Sequence, residues 1–220
     1  MKKLYIFDLD GTLLDTIKTI AYYGNYALKT NGISEIEIEK YNYFAGNGAK
    51  TLIKRMLKYN GIEQEEVFEK VFKDYNEAYN KNTTYLTTVF DGLKEALDKI
   101  KNNGAKIAVL SNKPHFATVS VTEALFGKGY FDLIFGQREN IPIKPDPCGV
   151  YEIMKHFNVT KEECVYVGDT GTDMQTGKSA GLYTVGVLWG FRKEDELEKF
   201  GADKIIKEPE ELVFLIRNQE

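Results

Sequence analysis

Leu4-Tyr5-Ile6-Phe7-Asp8-Leu9-Asp10-Gly11-Thr12-Leu13-Leu14-Asp15-Thr16 is the stretch that decides how the rest of the chain is read. Leu4 to Phe7 is an apolar run of strand length without polar alternation, as expected of a parallel strand covered on both faces. It stops at two carboxylates spaced i and i+2, whose side chains point the same way on an extended chain. Anions held that close repel one another, so Asp8 and Asp10 imply a bound cation. Gly11 then permits a backbone turn that a Cβ would resist. Beyond it the pattern becomes helical.

The remaining chain is long enough, at 220 residues, for one large domain or a domain with an insert. With 43% hydrophobic and 28% charged residues it has the composition of a soluble globular protein. A net charge of −4 offers no basic surface to a nucleic acid or an anionic membrane. No apolar run reaches the roughly 18 residues of a membrane span, and Met1-Lys2-Lys3 leads into a strand rather than a signal segment. Two cysteines, Cys148 and Cys164, make a disulfide framework unneeded, and Cys164 reads as a small buried hydrophobe. A cytoplasmic protein, monomeric or homodimeric, is expected.

Helical patterns run from Thr16 to Asn31, from Ser34 to Lys58 with a break at Phe44-Ala45-Gly46-Asn47-Gly48-Ala49, and from Gln64 to Asn80. A parallel βαβ unit needs only roughly 30 residues, yet the next strand pattern carrying polar chemistry starts at Lys106. The excess reads as a helical insert over residues 16–84, with residues 1–15 and 85–220 forming the sheet domain. Ten of the 14 tyrosines precede residue 90; Tyr22, Tyr23, Tyr26, Tyr75 and Tyr79 are expected to pack the helices with their hydroxyls at the rim. Strand and helix then alternate. Strands are predicted at Lys106–Leu110, Leu133–Phe135, Glu163–Val167, Thr184–Leu188 and Lys204–Ile206, with helices over 93–103, 114–126, 145–157, 173–180 and 208–217. Such alternation gives a doubly wound, Rossmann-like parallel α/β sheet, which binds ligands at the carboxyl ends of its strands.

Four strand ends carry chemistry. After Asp8 and Asp10 comes Ser111-Asn112, a small hydroxyl followed by a helix whose first turn contains Pro114 and whose free N–H groups suit an anionic oxygen. Lys144, in Ile143-Lys144-Pro145-Asp146-Pro147, is a cation aimed by prolines. Gly168-Asp169-Thr170-Gly171-Thr172-Asp173 supplies two more acids. Singly each reads as a cap or a solvated loop. In this order, at successive strand ends, they resemble the four motifs of the haloacid dehalogenase-like phosphohydrolases, and the helical insert lies where that superfamily carries a helical cap.

The resemblance implies a phosphatase. Asp8 would be the nucleophile, forming an aspartyl-phosphate, and Asp10 the general acid and base. Mg²⁺ would be held by Asp8, the backbone carbonyl of Asp10 and Asp169. Thr12, Ser111, Asn112 and Lys144 would hold the phosphoryl oxygens, with Asp173 supporting the site by orienting Lys144. The dehalogenases of the superfamily lack the second acid, so Asp10 implies phosphoryl transfer. The cap loop around Gly46-Asn47-Gly48, with Lys50 and Arg55, and Val187-Leu188-Trp189-Gly190-Phe191 resemble the phosphoglycolate phosphatase branch. Asn47, Lys50 or Arg55 would then meet a substrate carboxylate when the cap closes. The expected partner is a small phosphorylated metabolite, 2-phosphoglycolate first. Pyrophosphatase, 5′-nucleotidase and β-phosphoglucomutase are the enzymatic alternatives, and a phospho-receiver signalling domain is the alternative from another class.

Overall fold

The computed structural model describes residues 2–216. Its frame is a six-stranded, wholly parallel sheet: β1 (Leu4–Phe7), β4 (Lys106–Pro114), β5 (Leu133–Gln137), β6 (Cys164–Gly168), β7 (Tyr183–Val187) and β8 (Lys204–Ile206). The spatial order is β5-β4-β1-β6-β7-β8. From β1 the chain winds outward through β4 and β5, then returns to wind outward the other way, so the strand order reverses between β1 and β6. Ligands of open α/β sheets bind at such a reversal. Register then places the chemistry: Phe7 lies opposite Val109 on one side and Val167 on the other. The ladder continues one step, with Asp8 N donating to Val167 O at 2.9 Å. Asp8, Ser111 and Asp169 therefore emerge together at one edge.

Burial explains why these segments are strands. Leu4, Tyr5, Ile6 and Phe7 are wholly inaccessible, and alternate residues feed two apolar clusters on opposite faces. Tyr5 and Phe7 join Val109, Val165, Val167 and Leu97; Leu4 and Ile6 join Ala108, Tyr166, Val150 and Ile153. Each such fully buried side chain is worth about 1.5–3 kcal/mol. The helices covering the sheet are α5 (Leu93–Asn102), α6 (His115–Phe126), α7 (Cys148–Phe157), α8 (Gly171–Ser179) and α9 (Glu194–Lys199). Cys164 is buried as expected, its thiol donating to Thr160 O.

Four helices, α1 (Ile17–Thr30), α2 (Ile38–Phe44), α3 (Gly48–Tyr59) and α4 (Glu65–Lys81), intervene between β1 and β4. They share an apolar cluster of their own, built on Ile20, Leu28, Tyr41, Ile53, Met56 and Val71. Ala117 from α6 and Phe191 join it from the sheet side.

Several expectations need correction. The chain flanking the helices carries an antiparallel ribbon, β2 (Leu14–Asp15) with β3 (Thr88–Val89); two-residue strands are too short to show a period. β4 extends four residues past Leu110, so Ser111 and Asn112 lie in extended chain and α6 opens only at His115. The helix predicted over 114–126 therefore begins where expected, one residue on, with Pro114 as its N-cap. The predicted C-terminal helix is a 3₁₀ segment, Pro209–Ile216, and Arg217 lies outside the described residues. His115, the first residue of α6, accepts from Gly136 N at its Nδ1.

Candidate active site

Asp8 ends β1 with its carboxylate buried and accepts from the Lys144 ammonium at 2.7 Å. The same nitrogen reaches Asp173 Oδ1, also at 2.7 Å. Asp173 is the third residue of α8 and closes a capping box with Thr170, which donates its N–H and hydroxyl to Asp173 Oδ2. An ordinary helix start thus fixes the acid that orients Lys144. Asp169, the first residue after β6, accepts from the Thr12 hydroxyl and from Phe191 N, each at 2.8 Å. Gly11 is required beside it: its φ is +91°, and a Cβ there would stand 2.3 Å from Asp169 Oδ2.

Asp8, Asp169 and Asp173 bring a carboxylate oxygen each within 4.8 Å of one another, all buried. Burial raises Asp8 well above the ordinary carboxylate range, Asp173 pushing further and Lys144 opposing. Burial, then Asp173, push Asp169 up to about 7. Burial works against the Lys144 ammonium, yet Asp173 and Asp8 more than offset it and hold it well above its usual range. Three carboxylates around one ammonium leave an excess of buried negative charge, which a divalent cation would neutralise. The donor set is all oxygen, as Mg²⁺ prefers. The residues present fit that ion.

Asp10 stands apart from this cluster. Both of its carboxylate oxygens accept from Lys113, at 2.7 and 2.6 Å. Lys113 was not singled out from sequence; its only signal is a charge between the Ser111-Asn112 pair and Pro114. Burial opposes its charge, but Asp10 raises its pKa above the usual lysine range.

The other predicted residues divide. Ser111 is buried at the same edge, its Oγ accepting from Lys113 N. The side chains of two predicted phosphate ligands are already engaged by protein groups. Thr12 holds Asp169, and the Asn112 carboxamide exchanges hydrogen bonds with the Lys144 backbone, at 2.9 Å to its N–H and 3.1 Å to its carbonyl. The cap residues have partners of their own or face solvent. Asn47 donates to the Thr172 hydroxyl at 2.9 Å. Arg55 donates to the carbonyls of Tyr43 and Phe44 at the end of α2, and Lys50 is exposed. None of the three side chains lines the space beside Asp10.

That space is a cavity of about 50 Å³ between α4, the loop at Ala45–Gly48 and the sheet edge. Asp10 and Lys113 form one wall, and Tyr75, Asn76 and Tyr79 the other. Two of the tyrosines expected as packing therefore also face a void. Besides the Asn47 side chain, backbone groups of the loop hold it against the sheet: Asn112 Nδ2 donates to Gly46 O at 3.2 Å, and Arg192 to Ala45 O at 3.1 Å.

Fold and site together define a doubly wound α/β hydrolase with acids at its strand-order reversal. More particularly, the chain belongs to the haloacid dehalogenase-like hydrolase family, whose profile matches residues 5–187. It is 32% identical over 216 residues to a phosphoglycolate phosphatase of Aquifex aeolicus, covering 98% of this chain and 97% of that one. A phosphoglycolate phosphatase of Colwellia psychrerythraea is 29% identical, covering 91% and 90%. A crystal structure of a candidate phosphoglycolate phosphatase from Lactobacillus delbrueckii subsp. bulgaricus superposes with a TM-score of 0.93 at 30% identity, all of both chains being covered.

Proposed function

We infer that this chain, a phosphatase of the haloacid dehalogenase-like family, hydrolyses a small phosphomonoester through an aspartyl-phosphate on Asp8 with Mg²⁺ as cofactor, 2-phosphoglycolate being the leading substrate. The observation that carries the reading is Asp8 itself: a buried carboxylate at the strand-order reversal, 2.7 Å from Lys144 and clustered with Asp169. In this reading Asp8 attacks phosphorus, forming an Oδ–P bond as the ester P–O bond breaks. Asp10 gives a proton to the leaving oxygen, then takes one from the water that attacks the acyl phosphate. Lys144 and Ser111 neutralise the charge that spreads over the phosphoryl oxygens. Asp8, Asp169 and the Asp10 carbonyl would hold Mg²⁺, which supplies Lewis-acid neutralisation of the phosphoryl group.

Residues 16–84 act in this reading as a cap over a sheet domain of residues 1–15 and 85–220. Support comes from the separate apolar cluster of α1 to α4 and from the β2–β3 ribbon joining the two crossings. The names of relatives similar over nearly the whole chain support 2-phosphoglycolate, as does a cavity with room for only a few heavy atoms.

Two measurements test this. Asp8→Asn is expected to abolish Mg²⁺-dependent hydrolysis of p-nitrophenyl phosphate while leaving the thermal transition cooperative; normal turnover would refute the nucleophile. A panel of phosphate esters is expected to place 2-phosphoglycolate highest. Background activity on it, with a nucleotide or pyrophosphate well above, would overturn the substrate assignment.

A further inference from the structure

The cavity beside Asp10 contains recognition chemistry that the transfer of a phosphoryl group does not use. Among the described residues lining it, Lys113 is the one cation. Its side chain is 7% exposed and its ammonium lies 5.1 Å from the centroid of the Tyr79 ring. Tyr79 is 5% exposed, and its hydroxyl faces the Lys113 ammonium but finds no acceptor for its own O–H among the described residues. Buried tyrosine hydroxyls ordinarily find one. An ammonium and a hydroxyl with a proton to donate thus stand side by side on a void whose other walls mix apolar and backbone groups, such as Ala45, Gly46 and Leu52, with Asn76 and Asn80.

We propose that Lys113 and the Tyr79 hydroxyl bind a carboxylate carried by the substrate, and that this pair selects phosphomonoesters of small hydroxy acids. The inference rests on the phosphatase reading above and deepens it. Charge and donors ask for an anion: the ammonium offers a cation and Tyr79 an O–H. Size narrows the class. A cavity of about 50 Å³ has room for about three to five waters, enough for the three heavy atoms of a carboxylate. Position completes it, because Asp10 borders both the cavity and the acid cluster's strand end. A leaving oxygen at Asp10 would have its carboxylate one carbon away, toward Lys113. In the structure Asp10 is Lys113's acceptor, so the substrate's carboxylate would compete for the ammonium and loosen its hold on Asp10.

The experiment compares kcat/KM for 2-phosphoglycolate and for ethyl phosphate, which has a similar alkyl leaving group and no carboxylate. p-Nitrophenyl phosphate reports the phosphatase chemistry itself. For Lys113→Met the ratio is expected to fall about 10- to 100-fold, as for loss of a charged hydrogen bond. For Tyr79→Phe, which removes one oxygen, it is expected to fall about 3- to 10-fold, mainly through KM. Equal losses on both substrates would overturn the proposal and leave Lys113 as a positioning residue for Asp10. An unchanged ratio in Tyr79→Phe would overturn it even if Lys113→Met failed to fold. A wild-type enzyme that hydrolyses p-nitrophenyl phosphate but does not prefer 2-phosphoglycolate over ethyl phosphate would sink this inference and spare the phosphatase. Inactivity on all three esters with Mg²⁺ would sink both.

Discussion

Replacing Lys144 with methionine tests the electrostatic core of the site. Methionine keeps most of the side chain's length and apolar volume while removing the ammonium. Lys144 is 3% exposed and contacts Asp8 and Asp173 at 2.7 Å each. Removing one partner of a buried ion pair costs about 3–5 kcal/mol, because the remaining charge is stranded. Here two carboxylates are stranded, with Asp169 nearby. They escape by taking up protons. Protonating an ordinary carboxylate of pKa ~4 costs about 5 kcal/mol at pH 8 but only about 1.4 at pH 5. The Lys144→Met penalty is therefore expected to be about 3–5 kcal/mol at pH 8, or on the order of 10 °C in Tm for a chain of this size. At pH 5, where protonating both costs about 2.8 kcal/mol, the penalty should shrink to no more than about that.

The assay is urea denaturation in EDTA at both pH values, for the single variant and for Lys144→Met with Asp173→Asn. The asparagine carbonyl can still accept from Thr170, so the double variant removes a stranded charge without opening the cap of α8. It should recover about half of the loss at pH 8. A penalty equal at both pH values, and unrelieved by the second substitution, would refute the reasoning and reduce Lys144 to a packing residue.

The acid cluster makes a further claim about pH. Asp169 is pushed up to about 7 and Asp8 is raised as well, so the folded state holds protons that the unfolded chain has released above pH ~4. Their contribution is fully present below the unfolded value and lost as pH rises through 7. In EDTA the urea midpoint should therefore climb between pH 7.5 and 5, while Mg²⁺, favouring the ionised form, should reverse the trend; a flat EDTA profile would contradict it. Gly11→Ala forces a Cβ to 2.3 Å from Asp169 Oδ2 at a φ of +91°. It should cost roughly 1–3 kcal/mol and remove Mg²⁺-induced stabilisation in a thermal melt, whereas a variant still stabilised by Mg²⁺ would show that Asp169 can move. Asp10→Asn should slow hydrolysis of alkyl phosphates about 10²- to 10⁴-fold. It should slow p-nitrophenyl phosphate much less, since that leaving group needs little protonation; equal slowing would argue against Asp10 as the acid.

What could be read from sequence was what a single segment encodes. Leu4 to Phe7 announces a two-sided strand because no polar residue interrupts it, and the acids that follow lie at its end by continuity. The order of strands could be inferred because alternating helices and strands leave few connections. Lys113 and Tyr79 could not be read in this way. Their meeting depends on how α4 lies against the end of β4, and nothing in either segment records the other. The side-chain partners of Asn112 were hidden for the same reason. It follows a strand and precedes Pro114, but β4 runs on to Pro114 and places its carboxamide across the backbone of Lys144, a segment far away in sequence.

The same logic accounts for the cap loop. Asn47, Lys50 and Arg55 were picked out by the resemblance of their loop to a phosphatase cap loop. The loop meets the sheet domain through the Asn47 side chain and also through the carbonyls of Ala45 and Gly46, groups that every residue possesses and that no sequence pattern marks. Asn112 holds Gly46 from the helical side with the same Nδ2 that bonds the Lys144 carbonyl. The closed loop and the lysine beside Asp8 therefore share one side chain. A ligand that lifts the loop removes a contact from the group that positions Lys144, so the nucleophile's cation is best held when the loop is down. Asn112 thus ties the wall of the cavity to the backbone of the lysine beside the nucleophile, while its own backbone stays free to meet a phosphoryl oxygen as the sequence reading has it.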